Sequence, residues 1–269
     1  MVVFPNCKIN LGLKVLRKRA DGYHDLSTVF YPLPFYDSLE IVQSPVFSFT
    51  QTGHQLSIPD GENICVKAWQ LLKKDFPSLP EVAMHLHKTI PAGAGLGGGS
   101  ADGAFVLKLA NRKFRLGIPE AELTGYALQL GSDCPFFIIN RPAIGNGRGE
   151  ILEPVALDLS QYQLLIVNPG IHVHTGQAFS FVRPSATGPD PASIMDIPVT
   201  EWKNVLLNDF EPGVFSLHPE IGKIRDRLYE AGAIYAAMSG TGSTVFGLFE
   251  KTTPTPSFPV HYLVRSFYD

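Results

Sequence analysis

The sequence predicts an α+β protein of two domains. Three observations carry that prediction. The chain has 269 residues, 45% hydrophobic and 17% charged, enough to bury a core without covalent staples. Segments of period two and of helical period are mixed without strict β-α-β alternation. A stretch rich in Gly, Pro and Arg at residues 140–154 divides the chain into residues 1–151 and 152–269, with the last strand free to return to the first part.

The elements follow in order. In residues 8–15, Ile9, Leu11, Leu13 and Val15 alternate with Lys8, Asn10, Gly12 and Lys14. That is a half-buried strand with Lys8 and Asn10 on its polar face. Strands at 26–33, 38–43 and 46–50 are separated by Pro and Asp turns. Ile64, Ala68, Leu71 and Leu72 form the stripe of a helix at 63–76, stopped by Pro77. Residues 82–88 alternate again, with Val82, Met84 and Leu86 on one face. After a glycine-rich loop, 101–113 reads as a buried helix. Residues 119–130 read as another, ended by Gly131. Beyond the boundary come a strand at 162–167 and an exposed loop at 184–198. Ile221, Ile224, Leu228 and Ala231 make one face of a helix closed by Gly232. Strands at 233–238 and 244–249 flank the turn Ser239-Gly240-Thr241-Gly242-Ser243, and a last strand covers 260–265.

Composition narrows the function. With 22 basic and 25 acidic side chains the net charge is −3, which gives no footprint for nucleic acid or an anionic membrane. An anionic substrate must be captured by a local site. Cys7, Cys65 and Cys134 are odd in number and widely spaced, which argues against a disulfide framework or a zinc ribbon and for a reducing cytoplasm. No apolar run approaches the 18 or so residues of a membrane helix. Near the N-terminus, charges stand where a signal peptide needs its apolar stretch. The basic cluster at 14–19, followed by Asp21, reads as a mature strand and turn.

The loudest feature is Pro91-Ala92-Gly93-Ala94-Gly95-Leu96-Gly97-Gly98-Gly99-Ser100-Ala101-Asp102. It lies between a strand and a helix, where successive backbone N–H groups and a helix N-terminus favour an anion. The alternative is a plain connector, disfavoured by Ser100 and Asp102 at the helix start. A Walker A loop needs a terminal Gly-Lys-Ser/Thr, which is absent. Gly93, Gly95 and Gly98 satisfy G-x-G-x-x-G, but a nicotinamide-binding fold would place a continuous apolar strand before it. The strand here alternates and carries His85, His87 and Lys88. A protein-kinase loop needs strands on both sides. The pairs His85/His87 and His172/His174 each share a strand face, yet no third ligand sits at metal-binding spacing. Neither Ser100 nor Ser243 lies in G-x-S-x-G. Asp133, between a helix end and the apolar run 136–139, is a cap or a working group; spacing alone leaves both open.

The loop resembles the nucleotide loop of the GHMP small-molecule kinases. Lys8-Ile9-Asn10-Leu11 and Arg19-Ala20-Asp21-Gly22-Tyr23-His24-Asp25-Leu26 are similar to the branch of that superfamily whose acceptor is 4-diphosphocytidyl-2-C-methyl-D-erythritol. So are Leu130-Gly131-Ser132-Asp133-Cys134-Pro135-Phe136-Phe137, Gly147-Arg148-Gly149-Glu150 and Met238-Ser239-Gly240-Thr241-Gly242-Ser243. The resemblance implies an N-terminal nucleotide domain, a C-terminal ferredoxin-like domain and a cleft between them. It implies transfer of a phosphoryl group from ATP to the acceptor's 2-hydroxyl, in non-mevalonate isoprenoid synthesis. Asp133 would be the base, and Lys8 its partner. Residues 91–101 would hold the triphosphate, with Mg2+ carried mainly on the phosphates. Tyr23 and Phe179 would stack on cytosine, His24 would bond the base, and Asn10, Thr175, Gly240 and Thr241 would complete the acceptor site. A monomer or weak dimer acting on small molecules in the cytoplasm is expected. Other GHMP kinases (mevalonate or homoserine type), a nicotinamide-dependent oxidoreductase and a non-catalytic nucleotide module are the rivals. The chain departs from the family's Ser-Ser-Asp-Ala-Ala at Ala101 and Gly103, so one hydroxyl near the phosphates is missing.

Overall fold

The computed structural model describes residues 1–54 and 60–268. The strands are β1 Val2–Val3, β2 Asn6–Lys18, β3 His24–Tyr36, β4 Ser38–Gln43, β5 Ser48–Gly53, β6 Val82–Lys88, β7 Ala143–Asn146, β8 Ile151–Pro154, β9 Tyr162–Asn168, β10 Tyr235–Met238, β11 Val245–Glu250 and β12 Leu263–Phe267. The α-helices are α1 Ile64–Asp75, α2 Gly98–Phe114, α3 Glu120–Leu130, α4 Cys134–Ile139, α5 Thr175–Phe181, α6 Trp202–Val205, α7 Glu211–Leu217 and α8 Pro219–Glu230. They gather into two compact units. Unit 1 is Met1–Lys8, Pro32–Ala92 and Gly97–Arg141; unit 2 is Ile9–Tyr31, Gly93–Leu96 and Pro142–Asp269.

Unit 1 holds a sheet in the order β1-β4-β6-β5. Its β5 and β6 run parallel, so the chain needs a crossover between them, and α1 supplies it. Asn63 starts α1 by accepting from the Cys65 N–H at 2.9 Å. Cys65, Val66, Ala68, Trp69 and Leu72 form its buried stripe. Helix α2 packs on α1, α3 and α4. Gly103 lets that contact close: a Cβ there would sit 2.8 Å from Ile64 Cγ1. The departure from alanine at this position therefore has a packing reason. Cys7, Cys65 and Cys134 are free and fully buried. Burial pushes the Cys7 and Cys134 thiols up to about 12 and Cys65 well above its usual value.

Unit 2 contains the sheet β10-β11-β9-β12, antiparallel throughout. Leu165 and Val167 of β9 and Val245 and Phe249 of β11 meet Ile221, Ile224 and Leu228 of α8 in its core. The strand order is that of a split β-α-β. The second helix of that motif is missing, because residues 251–262 join β11 to β12 without one. The second sheet runs β2-β3-β7-β8.

Several elements differ from their sequence expectations. The first strand is not half solvated: Lys8, Asn10 and Lys14 are buried together with the apolar residues. They find partners instead of water, as when Lys14 Nζ donates to the Gly188 and Pro189 carbonyls. Helix α2 begins at Gly98, three residues earlier than expected, so Ser100 stands inside its first turn. Residues 140–154, read as a boundary, contain the hairpin β7–β8. Residues 191–196 of the expected exposed loop form a 3-10 helix that buries Pro191 and Ile194. The last strand pairs with β9.

Candidate active site

Asp133 precedes α4 and makes no capping hydrogen bond to it. Its Oδ2 lies 3.4 Å from Lys8 Nζ. The lysine side chain is 4% exposed and the aspartate side chain 35%, so the carboxylate is reachable while the ammonium is not. Of the two roles that spacing leaves open for Asp133, the side-chain cap is not made. Lys8 in turn packs against the glycine loop: a Cβ on Gly97 would lie 3.0 Å from Lys8 Cε and from Phe137 Cζ. Against the larger rise from burial, the nearby Ser100 side chain lowers the Cys134 thiol, which is next in sequence to Asp133.

The loop turns through positive φ at Gly93, Gly95 and Gly97. The first intrahelical bond of α2 runs from the Ala101 N–H to the Gly97 carbonyl at 2.9 Å. The N–H groups of Gly98, Gly99 and Ser100 have no acceptor within the helix, and the space around Gly99 is open. Free amides at a helix N-terminus are groups that can receive an anion. Pro91 and Ala92 lead into the loop, and Ala101 is fully buried behind it.

Within unit 2, Ala94, Gly95 and the turn after β10 are locked together. A Cβ on Gly95 would fall 2.0 Å from the Ser239 carbonyl oxygen, so only glycine fits. The Ser239 hydroxyl donates to the Gly95 carbonyl at 2.8 Å and accepts from the Asn10 N–H at 3.2 Å. The Thr244 N–H donates to the Ala94 carbonyl. Asn10 Nδ2 donates to Thr28 Oγ1. Gly240 lies against Asn10 Oδ1 and Gly95, next to Thr241. Leu96 is buried. His172 touches Gly93, and its ring stands edge-on to His174.

The aromatic group is also in unit 2. His24 stacks on Phe179 with ring centroids 4.7 Å apart and planes 20° apart. Phe179 is edge-on to Phe210. Tyr23 is half exposed, with the Arg148 guanidinium 4.8 Å above its ring. Burial lowers the His24 imidazole, with Lys18 adding to it, which favours the neutral ring. Thr175 opens α5, the helix that carries Phe179. So His24 and Phe179 are brought together, while Tyr23 is partnered by Arg148.

Sequence reasoning missed two residues here. Arg148 was part of a motif with no assigned role. Asn208 was unseen, although its Nδ2 donates to the Met238 and Gly240 carbonyls and shapes that turn. His85 and His87 do share a face, bridged by Thr52 Oγ1 at 3.0 and 2.9 Å. Among the described residues, no three His, Cys, Asp or Glu side chains gather to hold a metal.

Residues 63–141 match the family described as GHMP kinases N terminal domain, and residues 199–255 match GHMP kinases C terminal. A 4-diphosphocytidyl-2-C-methyl-D-erythritol kinase of Parabacteroides distasonis is 52% identical over 94% of this chain and 93% of its own. The enzyme of that name from Bacteroides thetaiotaomicron is 49% identical over 95% and 94%. The chain belongs to the 4-diphosphocytidyl-2-C-methyl-D-erythritol kinase family. A crystal structure titled 4-(cytidine 5'-diphospho)-2C-methyl-D-erythritol kinase superposes with a TM-score of 0.79 at 34% identity, covering 92% of this chain and 90% of that one. The homoserine kinase of Cytophaga hutchinsonii, at 15% identity and a TM-score of 0.64 over 92% and 86%, shares the fold. The protein is an ATP-dependent small-molecule kinase of this family, with the N- and C-terminal GHMP domains that the motifs imply.

Proposed function

We propose that the protein transfers the γ-phosphoryl group of ATP to the 2-hydroxyl of 4-diphosphocytidyl-2-C-methyl-D-erythritol, in isoprenoid precursor synthesis. The observation that carries this reading is the pairing of Asp133 with Lys8, whose side chain packs against Gly97, in a chain of this family. Phosphoryl transfer asks the protein mainly to position reactants and neutralise charge. Asp133, the reachable member, accepts the hydroxyl proton. Lys8 orients that carboxylate and offsets charge on the moving group. The amides of Gly98, Gly99 and Ser100 hold phosphate oxygens. Mg2+ would be carried mainly by the nucleotide phosphates, which suits its strong hydration. When bound, it would offset negative charge on the nucleotide.

Acceptor recognition falls to unit 2. Neutral His24 has a polar edge for cytosine, beside Phe179. Tyr23, held by Arg148, offers a ring face. The turn at Gly240 and Thr241, with Asn10 and Thr175, faces the polar part of the acceptor. The partners are then ATP and a cytidine-diphosphate sugar alcohol, met in the cytoplasm by a monomer or weak dimer. No helix among the described residues is long and apolar enough to cross a membrane.

The test is turnover. The purified protein, ATP and Mg2+ are mixed with the cytidine compound, mevalonate or homoserine, and ADP release and product mass are followed. Phosphorylation of the cytidine compound alone is expected. Preference for mevalonate or homoserine would overturn the acceptor assignment and leave the kinase standing.

A further inference from the structure

Beneath the loop lies a cluster of three charged side chains that the reaction scheme does not use. Lys88 ends β6, Asp102 stands in the second turn of α2, and Asp37 links β3 to β4. Their side chains are 0%, 1% and 0% exposed. Lys88 Nζ donates to Asp102 Oδ2 at 2.8 Å and also to Asp37 Oδ2. Asp37 Oδ1 accepts from the Thr89 and Ile90 N–H groups at 2.6 and 2.9 Å, directly before Pro91. A Cβ on Gly98 would lie 3.0 Å from Lys88 Nζ. The same three residues thus hold the chain entering the loop and the helix leaving it.

We propose that Asp102, with Lys88 and Asp37, is a positioning group for the nucleotide loop and works in its protonated, uncharged form. The charge count requires one extra proton. One buried cation faces two buried carboxylates, and an uncompensated buried charge is costly. Asp37 receives three donors, Lys88 Nζ and the Thr89 and Ile90 N–H groups, whereas Asp102 receives one. Asp102 receives Lys88 on Oδ2, while its buried Oδ1 has no partner. An unpartnered oxygen is cheaper to bury neutral than charged. Burial pushes the Asp102 carboxyl up to about 8, outweighing the pull of Lys88, and nearby Asp37 adds to the rise. Burial alone would lower the Lys88 ammonium, but Asp102 and Asp37 outweigh it and raise it. Among the described residues, the other titratable groups facing the cluster are Cys65 of α1 and Cys7 of β2, whose thiols burial keeps neutral. Ionising Asp102 would place a net negative charge under the amides that receive the triphosphate.

The inference rests on residues 91–101 being the nucleotide loop, so one readout is independent of nucleotide. A carboxyl that holds its proton more tightly folded than unfolded contributes stability that is complete below about pH 4 and lost as pH rises through about 8. Asp102→Asn, nearly isosteric and uncharged, should remove that slope from Tm measured between pH 5 and 9.5. Infrared spectra of the unaltered protein at pH 6 should show a buried protonated carboxyl that fades by pH 9.5. Calorimetric titration with a non-hydrolysable ATP analogue and Mg2+ should show affinity falling on the order of tenfold between pH 7 and 9.5 in the unaltered protein. In Asp102→Asn it should stay nearly constant. No protonated carboxyl at pH 6, or parallel pH profiles in the two proteins, would overturn the proposal. Loss of the carboxyl band with a flat affinity profile would overturn the coupling to the loop. Failure to bind the analogue at any pH would overturn the loop assignment, whatever the infrared spectra show.

Discussion

Asp133 makes no side-chain cap and is partly open to water, so Asn, which keeps its shape and removes only the charge facing Lys8, is the narrowest probe of it. Asp133→Asn should leave the fold and ATP affinity intact while kcat falls by about 10²–10⁴, the usual worth of a general base. Since the carboxylate also places the hydroxyl, the upper end of that range is expected. Steady-state assay and a nucleotide titration check it together; retention of more than about a tenth of the activity would rule Asp133 out as the base. Tyr23→Ala should raise the KM for the cytidine compound by about tenfold to a hundredfold and leave the KM for ATP unchanged, since base stacking contributes about 1–3 kcal/mol. His24→Ala should blur the distinction between cytosine and uracil acceptors. Parallel rises in both Michaelis constants would make Tyr23 structural. How much of this site could be read from the chain differs by residue. The glycine loop announces itself, because five glycines in seven residues have no place inside a helix or strand. The polarity pattern left Asp133 undecided and Lys8 unremarkable, and family likeness separated them from ordinary surface groups. Asn208 and Asp37 carry no local signal and Arg148 stands in a motif without a role, since what they hold is distant backbone or a ring brought near only by folding.

Gly95 and Gly99 are identical in sequence terms, but the loop treats them differently. Gly95 has φ +78° and its missing Cβ would enter the Ser239 carbonyl, a backbone atom that cannot swing aside. Gly99 has nothing within 4 Å. Gly95→Ala should therefore lower Tm by several degrees as well as weaken nucleotide binding, given that each kcal/mol is worth about 2–4 °C in a chain of this size. Gly99→Ala should hold or raise Tm, because alanine favours a helix by about 1 kcal/mol, and any loss should appear in nucleotide affinity alone. Equal thermal losses in the two variants would contradict the packing described. The longer elements were legible for a physical reason. α1, α3, α8 and β6 each span enough residues for a period to show. α4 has six residues and β7 and β8 four each, too few to display one. β2 misled differently: its alternation is real, but both faces are covered, and hydrogen bonds replace solvent on the polar one.

At the scale of the whole molecule, neither unit is a continuous stretch of chain; each is assembled from three segments. The two tryptophans divide between them, Trp69 buried in unit 1 and Trp202 in unit 2. Single-tryptophan variants should report coincident denaturation midpoints, because interleaved segments leave neither unit a chain of its own to fold on. Leu228→Ala, which empties space in the core of unit 2 at a cost of about 2–5 kcal/mol, should move both midpoints. Widely separated midpoints would show that the units melt independently. The cysteines add a chemical clock. All three thiols lie in unit 1, fully buried and held neutral, so a maleimide can reach them only when that unit opens. Their alkylation rate in native buffer therefore measures the opening of unit 1 in molecules that are otherwise intact. A nucleotide that binds only the closed form, supplied at a hundred times its Kd, should slow that clock by about a hundredfold.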